Sequence, residues 1–450
     1  MSKRATRTAE LVRLGSRTGA GAAVITARGA FAGDERKAEL RAEFEMQTAA
    51  QVVESLGNMK GAVMKIGQMA SYLDQGLPEP VRDALAQLQT NAPPMSAELA
   101  AGVIAAELGG PPSEVFAEWD EVPLAAASIG QVHRARTHDG RAVAVKVQYP
   151  GVDEAIRADL DNSDLLFGAL GMLFPGMDPK PIAGELKERI VEELDYRLEA
   201  ANQSRFADAY SGHPTIHVPR VVPELSTARV LTSEFAEGAT FAELRSWSQD
   251  ERNLAAETIF RYAFGGIYEL GIFNGDPHPG NYLFAPGGRV TFLDYGLCKA
   301  FTPAEVVWFE RLITAMCITH DMEEFIRLSV EVGVLSNPER FTLDQLEGYF
   351  SHFYDPVLED LDLTITPEYA SESVRRYFDL SSPYAEVMKA ANLPPAMVIV
   401  QRINLGLFSL MAELGATRNW RRLAEEIWPW VQGPPSTPMG EDIARWKASS

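Results

Sequence analysis

Two short polar loops joined by a strand hairpin constrain this chain more than any other feature. The first is Gly275-Asp276-Pro277-His278-Pro279-Gly280-Asn281, the second Asp294-Tyr295-Gly296. Between them, Tyr282-Leu283-Phe284 and Arg289-Val290-Thr291-Phe292-Leu293 read as strands around an Ala285-Pro286-Gly287-Gly288 turn. An Asp followed five residues later by an Asn, then a hairpin, then Asp-aromatic-Gly, carries the groups that phosphoryl chemistry needs. A triphosphate must be held still and its charge neutralised. Hard Mg²⁺ prefers oxygen ligands, and Asn281 with Asp294 can supply them. Asp276 adds a carboxylate able to orient or deprotonate an attacking hydroxyl or water. Taken alone, the same residues also fit a polar loop in which Pro and Gly do turn work.

The rest of the composition narrows the class. With 450 residues, 46% of them hydrophobic, the chain is long enough for two or three lobes with real cores. A net charge of −21 excludes a nucleic-acid footprint overall. Cys298 and Cys317 form no CxxC and have no clustered His, which points to a reducing compartment and no zinc site. No run of eighteen apolar residues is present, so no membrane-spanning helix is expected. Met1 to Gly33 lacks the apolar core of a signal peptide.

Residues 1–33 are basic and rich in Gly and Ala, against the charge of the whole. Such a segment can sit on anionic lipid headgroups, or be a solvated tail. Residues 35–75 carry apolar side chains at three-to-four spacing and predict a helix. Within it, Lys65-Ile66-Gly67-Gln68 reads by itself as an exposed Lys and a tolerated Gly. A short helix over Val81–Gln89 precedes an Asn91-Ala92-Pro93-Pro94 linker. Ser96 then caps a helix to Leu108, stopped by Gly109-Gly110-Pro111-Pro112.

From Val122 the pattern turns to strands. Ala125-Ala126-Ala127-Ser128-Ile129-Gly130-Gln131-Val132 leads through a His138-Asp139-Gly140 turn to Ala142-Val143-Ala144-Val145-Lys146-Val147. A small-residue loop, a strand, a tight turn and a strand with one Lys among apolar neighbours is a phosphate-covering hairpin. Ala in place of the usual Gly lets the backbone approach but resists positive φ, so this loop should be stiffer. Lys146 has a plainer reading as the outward residue of an edge strand. A long helix is expected over Ile182–Tyr210, placing Glu192, Asp195 and Glu199 on one face, with Glu199 the candidate partner of Lys146. A solvated face is the plain alternative.

Val218–Val222 and Ala228–Thr232 read as strands leading to Thr232-Ser233-Glu234-Phe235-Ala236-Glu237-Gly238. This resembles a hinge whose backbone, at Glu234 and Ala236, would hold an adenine; an ordinary strand-to-helix loop is the alternative. Helices over 240–247 and 251–270 follow. After Asp294-Tyr295-Gly296, Thr302 with Pro303 opens a helix almost at once, leaving no room for a peptide-binding activation segment. Val306 to Trp430 reads as helical, and 433–450 as a loose tail.

Together these pieces resemble the UbiB (ADCK, AarF-type) family of atypical kinases. The carrying residues are Lys65-Ile66-Gly67-Gln68, Ala125 to Val132, Val145-Lys146, Glu193-Leu194-Asp195-Tyr196 with Glu199, Asp276 to Asn281, and Asp294-Tyr295-Gly296, in family order. The resemblance implies an α+β, protein-kinase-like two-lobe fold with a helical N-terminal extension. Its parts would be a basic segment (1–33), the extension (34–110), an N-lobe (111–236), a C-lobe (237–432) and the tail (433–450). It implies Mg²⁺ and ATP as cofactors, with Ala125–Val132, Lys146, Glu234 and Ala236 around the nucleotide. Lys146 would pair with Glu199, Asp276 would be the catalytic Asp, and Asn281 and Asp294 would hold the metal. Lys65, Gly67 and Gln68 would cap the active site, held by Glu193 and Asp195, where a peptide substrate would otherwise bind. The implied partners are ATP, an anionic lipid membrane and a prenylated quinone or its precursors. The implied location is cytoplasmic, peripheral on the inner face of the membrane. This sequence departs from the family at Leu88-Gln89-Thr90-Asn91, where an acidic residue is usual.

Overall fold

The computed structural model describes residues 95–127, 129–160, 191–378, 382–392 and 395–449. The helix expected over 35–75, with Lys65, Gly67 and Gln68, lies outside these residues, as do Val81–Gln89 and Ser128. The chain divides into two compact units, residues 1–135 with 145–194, and residues 136–144 with 195–450.

In the first unit, Ser96 accepts the Leu99 N–H (3.4 Å) and opens α1, Ala97–Leu108. Gly109, at φ +82°, closes it in the left-handed region that Gly adopts without a Cβ penalty. A short α2, Pro112–Val115, leads to β1, Glu118–Trp119. Then come β2, Ala125–Ala126, β3, Gly130–Arg136, and β4, Ala142–Gln148. In this unit β3 lies between β1 and β4, and β2 pairs antiparallel with it, Ala125 opposite Val132 and Ala126 opposite Gln131. Along β4, Val143, Val145 and Val147 are fully buried, while Ala142, Ala144 and Lys146 are half-buried. This is the alternation that a strand with one covered face requires. Next is α3, Val152–Leu160.

The second unit opens on α4, Tyr196–Ala209. The continuous helix expected from Ile182 to Tyr210 is broken. The helical stretch at 191–192 ends in a turn at Glu193-Leu194, and Asp195 caps a new helix by accepting the Arg197 N–H (3.1 Å). An Asp offered a free N-terminus satisfies an orphan N–H better than it serves mid-helix, so the break falls there. Glu192, Asp195 and Glu199 therefore do not share one helix face.

Downstream, β5 is Ile216–His217 and β6 is Val230–Glu234. The expected strand at 218–222 contributes only a bridge, Val221 opposite Ser233. Within this unit β6 meets the start of β4, where Phe235 N–H donates to Ala142 O (3.0 Å). The long α6, Gln249–Glu269, matches the expected helix at 251–270 closely, whereas the short α5, Phe241–Leu244, covers only part of the helix expected at 240–247. Then follow β7, Ile272–Asn274; β8, Tyr282–Ala285; β9, Arg289–Phe292; and β10, Cys298–Ala300. β8 and β9 form the expected hairpin, with β5 parallel to β9, and β10 pairs antiparallel with β7.

Thr302 and Glu305 form a reciprocal cap for α7, Pro303–Ile313. Helices make up most of the remainder, the longest among the described residues Pro395–Leu414, but the stretch expected as wholly helical also holds a short antiparallel pair, Leu363–Thr364 with Thr417–Arg418. The tail expected to be loose instead forms a helix, Pro438–Ser449, seated by Trp446 against His213 and by a Lys447–Glu269 ion pair. Beneath it Arg261, buried, pairs with buried Glu257 (3.0 Å) and Glu426 (2.5 Å) and donates to Thr437 (2.8 Å). A buried guanidinium needs such partners, and the tail residue Thr437 is one of them. Among the described residues no helix is long and apolar enough to cross a membrane.

Candidate active site

The two polar loops come together inside the second unit. Asn281 donates from Nδ2 to the Asp276 carboxylate (2.9 Å), and its backbone N–H donates to His278 O (2.9 Å). The loop is therefore a closed ring that carries the carboxylate and the amide at its two ends. Leu293 N–H donates to Asn281 O (3.0 Å), which sets Asp294 directly beyond the Asn. Asp294 is held in turn, its Oδ1 accepting the Gly296 N–H (2.9 Å).

Tyr295 explains why that loop keeps its place. Its ring is fully buried, packed on Phe206 of α4 (centroids 5.3 Å apart), while Phe292 stacks on Tyr262 of α6 (3.6 Å). Its hydroxyl donates to Phe292 O, and Asn202 of α4 donates to Tyr295 O (3.2 Å). The aromatic residue sinks into the core, and Asp294 and Gly296 on either side stay half-exposed. Burial holds the Tyr295 and Tyr262 phenols well above their ordinary pKa, so both remain neutral hydrogen-bonding groups.

Asn274 links the two loops and was missed in the sequence. Its Nδ2 donates to Asp294 O (2.8 Å) and to the Tyr262 hydroxyl (3.0 Å), while its Oδ1 accepts the Asp276 N–H (3.4 Å). The available signal was an amide residue ending the apolar run Ile272-Phe273, next to Gly275-Asp276. Gly275 N–H donates to Leu297 O (2.6 Å), and a Cβ at Gly275 would sit 3.0 Å from that oxygen. Only Gly lets β7 and the strand after Gly296 approach so closely.

The covering hairpin is organised differently. Ala125 and Ala126 are exposed on β2, whereas Ile129, Gly130 and Gln131 are buried. The Gln131 side chain turns inward. Its Oε1 accepts the Met95 N–H (2.8 Å), and its Nε2 approaches Met95 O (3.4 Å) and His133 Nε2 (2.8 Å). His133 Nδ1 meets Asp120 O at 2.7 Å, and its ring stacks on Trp119 (4.5 Å). Burial pushes the His133 pKa down, so the neutral ring donates from Nδ1 and accepts at Nε2. The side chain of Gln131 thus anchors the entry to α1, and among the described residues of this stretch Ala125 and Ala126 are the exposed ones.

Lys146 is half-buried on β4 in the first unit, and Glu199 is buried on α4 in the second. Glu193 is buried, and Asp195 is the helix cap already described. The Asp195 carboxylate is held below its usual range by the Arg197 side chain, which grips it at 2.7 Å and 2.9 Å, against the opposing effect of burial. At the stretch expected as a hinge, Glu234 Oε2 accepts the Arg220 N–H (3.0 Å), and Ala236 is half-buried beside exposed Glu237 and Gly238. Of the two cysteines, Cys317 is buried, with its thiol pushed up to about 12, and Cys298 donates to Tyr295 O (3.4 Å).

The implied Mg²⁺ calls for oxygen ligands. Among the described residues no three His, Cys, Asp or Glu side chains gather as a metal site. Mg²⁺ does not need such a cage. It is typically bound by one or two carboxylates together with substrate phosphates and water. Asp294, the Asn281 amide and Asp276 fit that pattern, Asp294 Oδ1 held by the Gly296 N–H and the Asp276 carboxylate by Asn281 Nδ2.

The chain is similar to several known proteins. Residues 87–329 match the ABC1 atypical kinase-like domain. The mitochondrial atypical kinase COQ8 of Saccharomyces cerevisiae is 28% identical over 84% of this chain and 76% of its own length. The mitochondrial atypical kinase COQ8B of Rattus norvegicus is 36% identical over 56% of this chain, a match spanning about half (48%) of the rat protein. The solved complex of Rv3197 with erythromycin from Mycobacterium tuberculosis superposes with a TM-score of 0.63 at 32% identity, covering 88% of this chain and 100% of that one. The chain belongs to the ABC1 (UbiB) atypical kinase-like family and is an enzyme of the phosphotransferase class.

Proposed function

We propose that this protein binds Mg-ATP and hydrolyses or transfers its γ-phosphate, in isoprenoid quinone or lipid metabolism at a membrane surface. The observation that carries the reading is the closed ring of Asp276 and Asn281, set against Asp294 by Leu293 and Asn274. Asn281 and Asp294 would hold the Mg²⁺, which would neutralise the triphosphate when bound. Lys146, oriented by Glu199, would hold phosphate oxygens. Ala125 to Val132 would cover the phosphates through backbone, and Glu234 and Ala236 would hold the adenine. Asp276 orients the attacking hydroxyl or water and accepts its proton. The cap of Lys65, Gly67 and Gln68, with Glu193 and Asp195, would exclude a peptide substrate. The proposed five-part division, 1–33, 34–110, 111–236, 237–432 and 433–450, gives the cap its own segment.

A non-peptide acceptor is favoured by the passage from β10 straight into the Thr302 cap of α7, which leaves no peptide-binding segment there. The membrane and quinone partners rest on the family resemblance and the basic residues 1–33. On this reading the protein would be cytoplasmic and peripheral on the inner face of a membrane.

The test is steady-state Mg-ATP turnover by the full chain, with and without anionic phospholipid vesicles. Asp276→Asn should lower turnover by roughly 10²–10⁴-fold, the scale of general-base loss, while nucleotide still binds. Wild-type turnover in that variant would overturn the reading. A second reading is a nucleotide-gated module for apolar molecules, favoured by the similar structure being an erythromycin complex. Tight ATP binding with no turnover, with or without vesicles, would select it.

A further inference from the structure

His278 stands in the middle of the Asp276–Asn281 ring, and none of the assignments above uses it. Residue 278 is exposed, yet its ring is oriented by a contact with Gly280. The Gly280 N–H donates to His278 Nδ1 (3.1 Å), so the imidazole caps the short turn Pro279–Asn281. That contact brings the ring close to Gly280. A Cβ there would meet Nδ1 at 3.0 Å and Cε1 at 3.1 Å, so any other residue at 280 would push the imidazole away.

The hydrogen bond fixes the chemistry of the ring. A nitrogen that accepts a backbone N–H carries no proton, so the neutral imidazole holds its single proton on Nε2. That N–H is on the far side of the ring from the backbone it caps. Closure of the ring by Asn281 Nδ2 on Asp276 (2.9 Å) and by Asn281 N–H on His278 O (2.9 Å) carries this donor on the element that supplies both the carboxylate and the amide oxygen.

We infer that His278 is a further catalytic residue, whose Nε2–H donates a hydrogen bond to a non-bridging oxygen of the transferred phosphoryl group. This rests on the reading of the loop as a phosphoryl-transfer site. The step itself is balanced without the histidine. The bond from the γ-phosphorus to the β,γ-bridging oxygen breaks, a bond from the acceptor oxygen to phosphorus forms, and the acceptor proton passes to Asp276. His278 gives up no proton. A donor pre-set by the Gly280 contact needs no reorganisation when equatorial charge develops, which is where such donors act.

The two nitrogens can be tested separately, because Asn can replace Nδ1 and Gln can replace Nε2. His278→Asn keeps an acceptor for the Gly280 N–H and loses the outward donor. His278→Gln keeps an outward donor and loses the cap. The full chain is assayed for Mg-ATP turnover and for affinity toward a non-hydrolysable ATP analogue, with thermal melts as a check on folding. The expected order of kcat is wild type, then His278→Gln, then His278→Asn. The last should fall about a hundredfold, the scale for removing one preorganised donor, with analogue affinity within a few-fold of wild type. A purely structural cap reverses the order, because Asn keeps it and Gln does not. That reversal, equal turnover in all three proteins, or a loss confined to affinity would each overturn the inference. Asp276→Asn run alongside separates the two claims. If it also turns over like wild type, the site reading itself has failed. If it is inactive while His278→Asn is not, only the role of His278 falls.

Discussion

The Ala-rich hairpin and the two polar loops each depend on one amide side chain, buried at Gln131 and half-buried at Asn274, but they use it in opposite ways. Gln131 reaches away from its loop to Met95 and His133, fastening the strand to the entry of α1. Asn274 reaches along its own neighbourhood, to Asp294, Tyr262 and Asp276, fastening the reactive groups to one another. One amide anchors an element from behind, and the other sets spacing within the site. Removing the first should loosen a segment, whereas removing the second should misplace chemistry.

Three changes would break or sharpen that contrast. Asn274→Leu, close in shape, strips the contacts to Asp294 and Asp276 together. Turnover should fall about a hundredfold, the scale of a displacement near 1 Å, with stability lowered by roughly 1–3 kcal/mol for polar groups left unpaired. Turnover equal to wild type would show that backbone alone fixes the loops. Gln131→Leu should cost about 1–3 kcal/mol for the same reason, read by denaturant unfolding. Its signature should be faster hydrogen exchange at the Met95 amide; unchanged exchange there would deny the anchor. The smallest effect is on acid stability. The pKa of His133 is lowered by burial and that of His213 falls to about 3 from burial and nearby Lys447 and Arg261, so both rings are neutral when folded. The unfolded chain binds those protons near pH 6.5. Their contribution is therefore complete above about pH 6.5 and is lost as pH falls toward their folded values. His133→Gln should flatten part of that slope, and an unaltered slope would remove His133 from the account.

Much of this was legible in the sequence because the signals were local. Thr302-Pro303 with Glu305, the Ser96 cap and the Ala285–Gly288 turn each specify a backbone conformation through groups only a few residues apart. The order of loop, hairpin and Asp-Tyr-Gly was equally readable. Other features depend on partners far along the chain. Asp195 could be placed on a helix face or at its start, and the choice for a cap followed from an unoccupied N-terminus at Tyr196. The tail at 433–450 looked loose because it is rich in Pro and Gly and has no strong apolar stripe. Its order comes from buried Arg261 on α6 and from His213, both distant in sequence. Asn274 was missed because a single amide carries no pattern until Tyr262 and Asp294 are brought to it.

The most direct measurement is nucleotide titration by calorimetry, with and without Mg²⁺, on wild type and Asp294→Asn. The account expects Mg²⁺ to tighten ATP binding by the wild-type chain and to have no such effect on the variant, with the variant's melting behaviour preserved. Equal Mg²⁺-dependent affinity in both proteins would contradict it, because the Asp294 carboxylate, held by the Gly296 N–H, would then have no metal to bind.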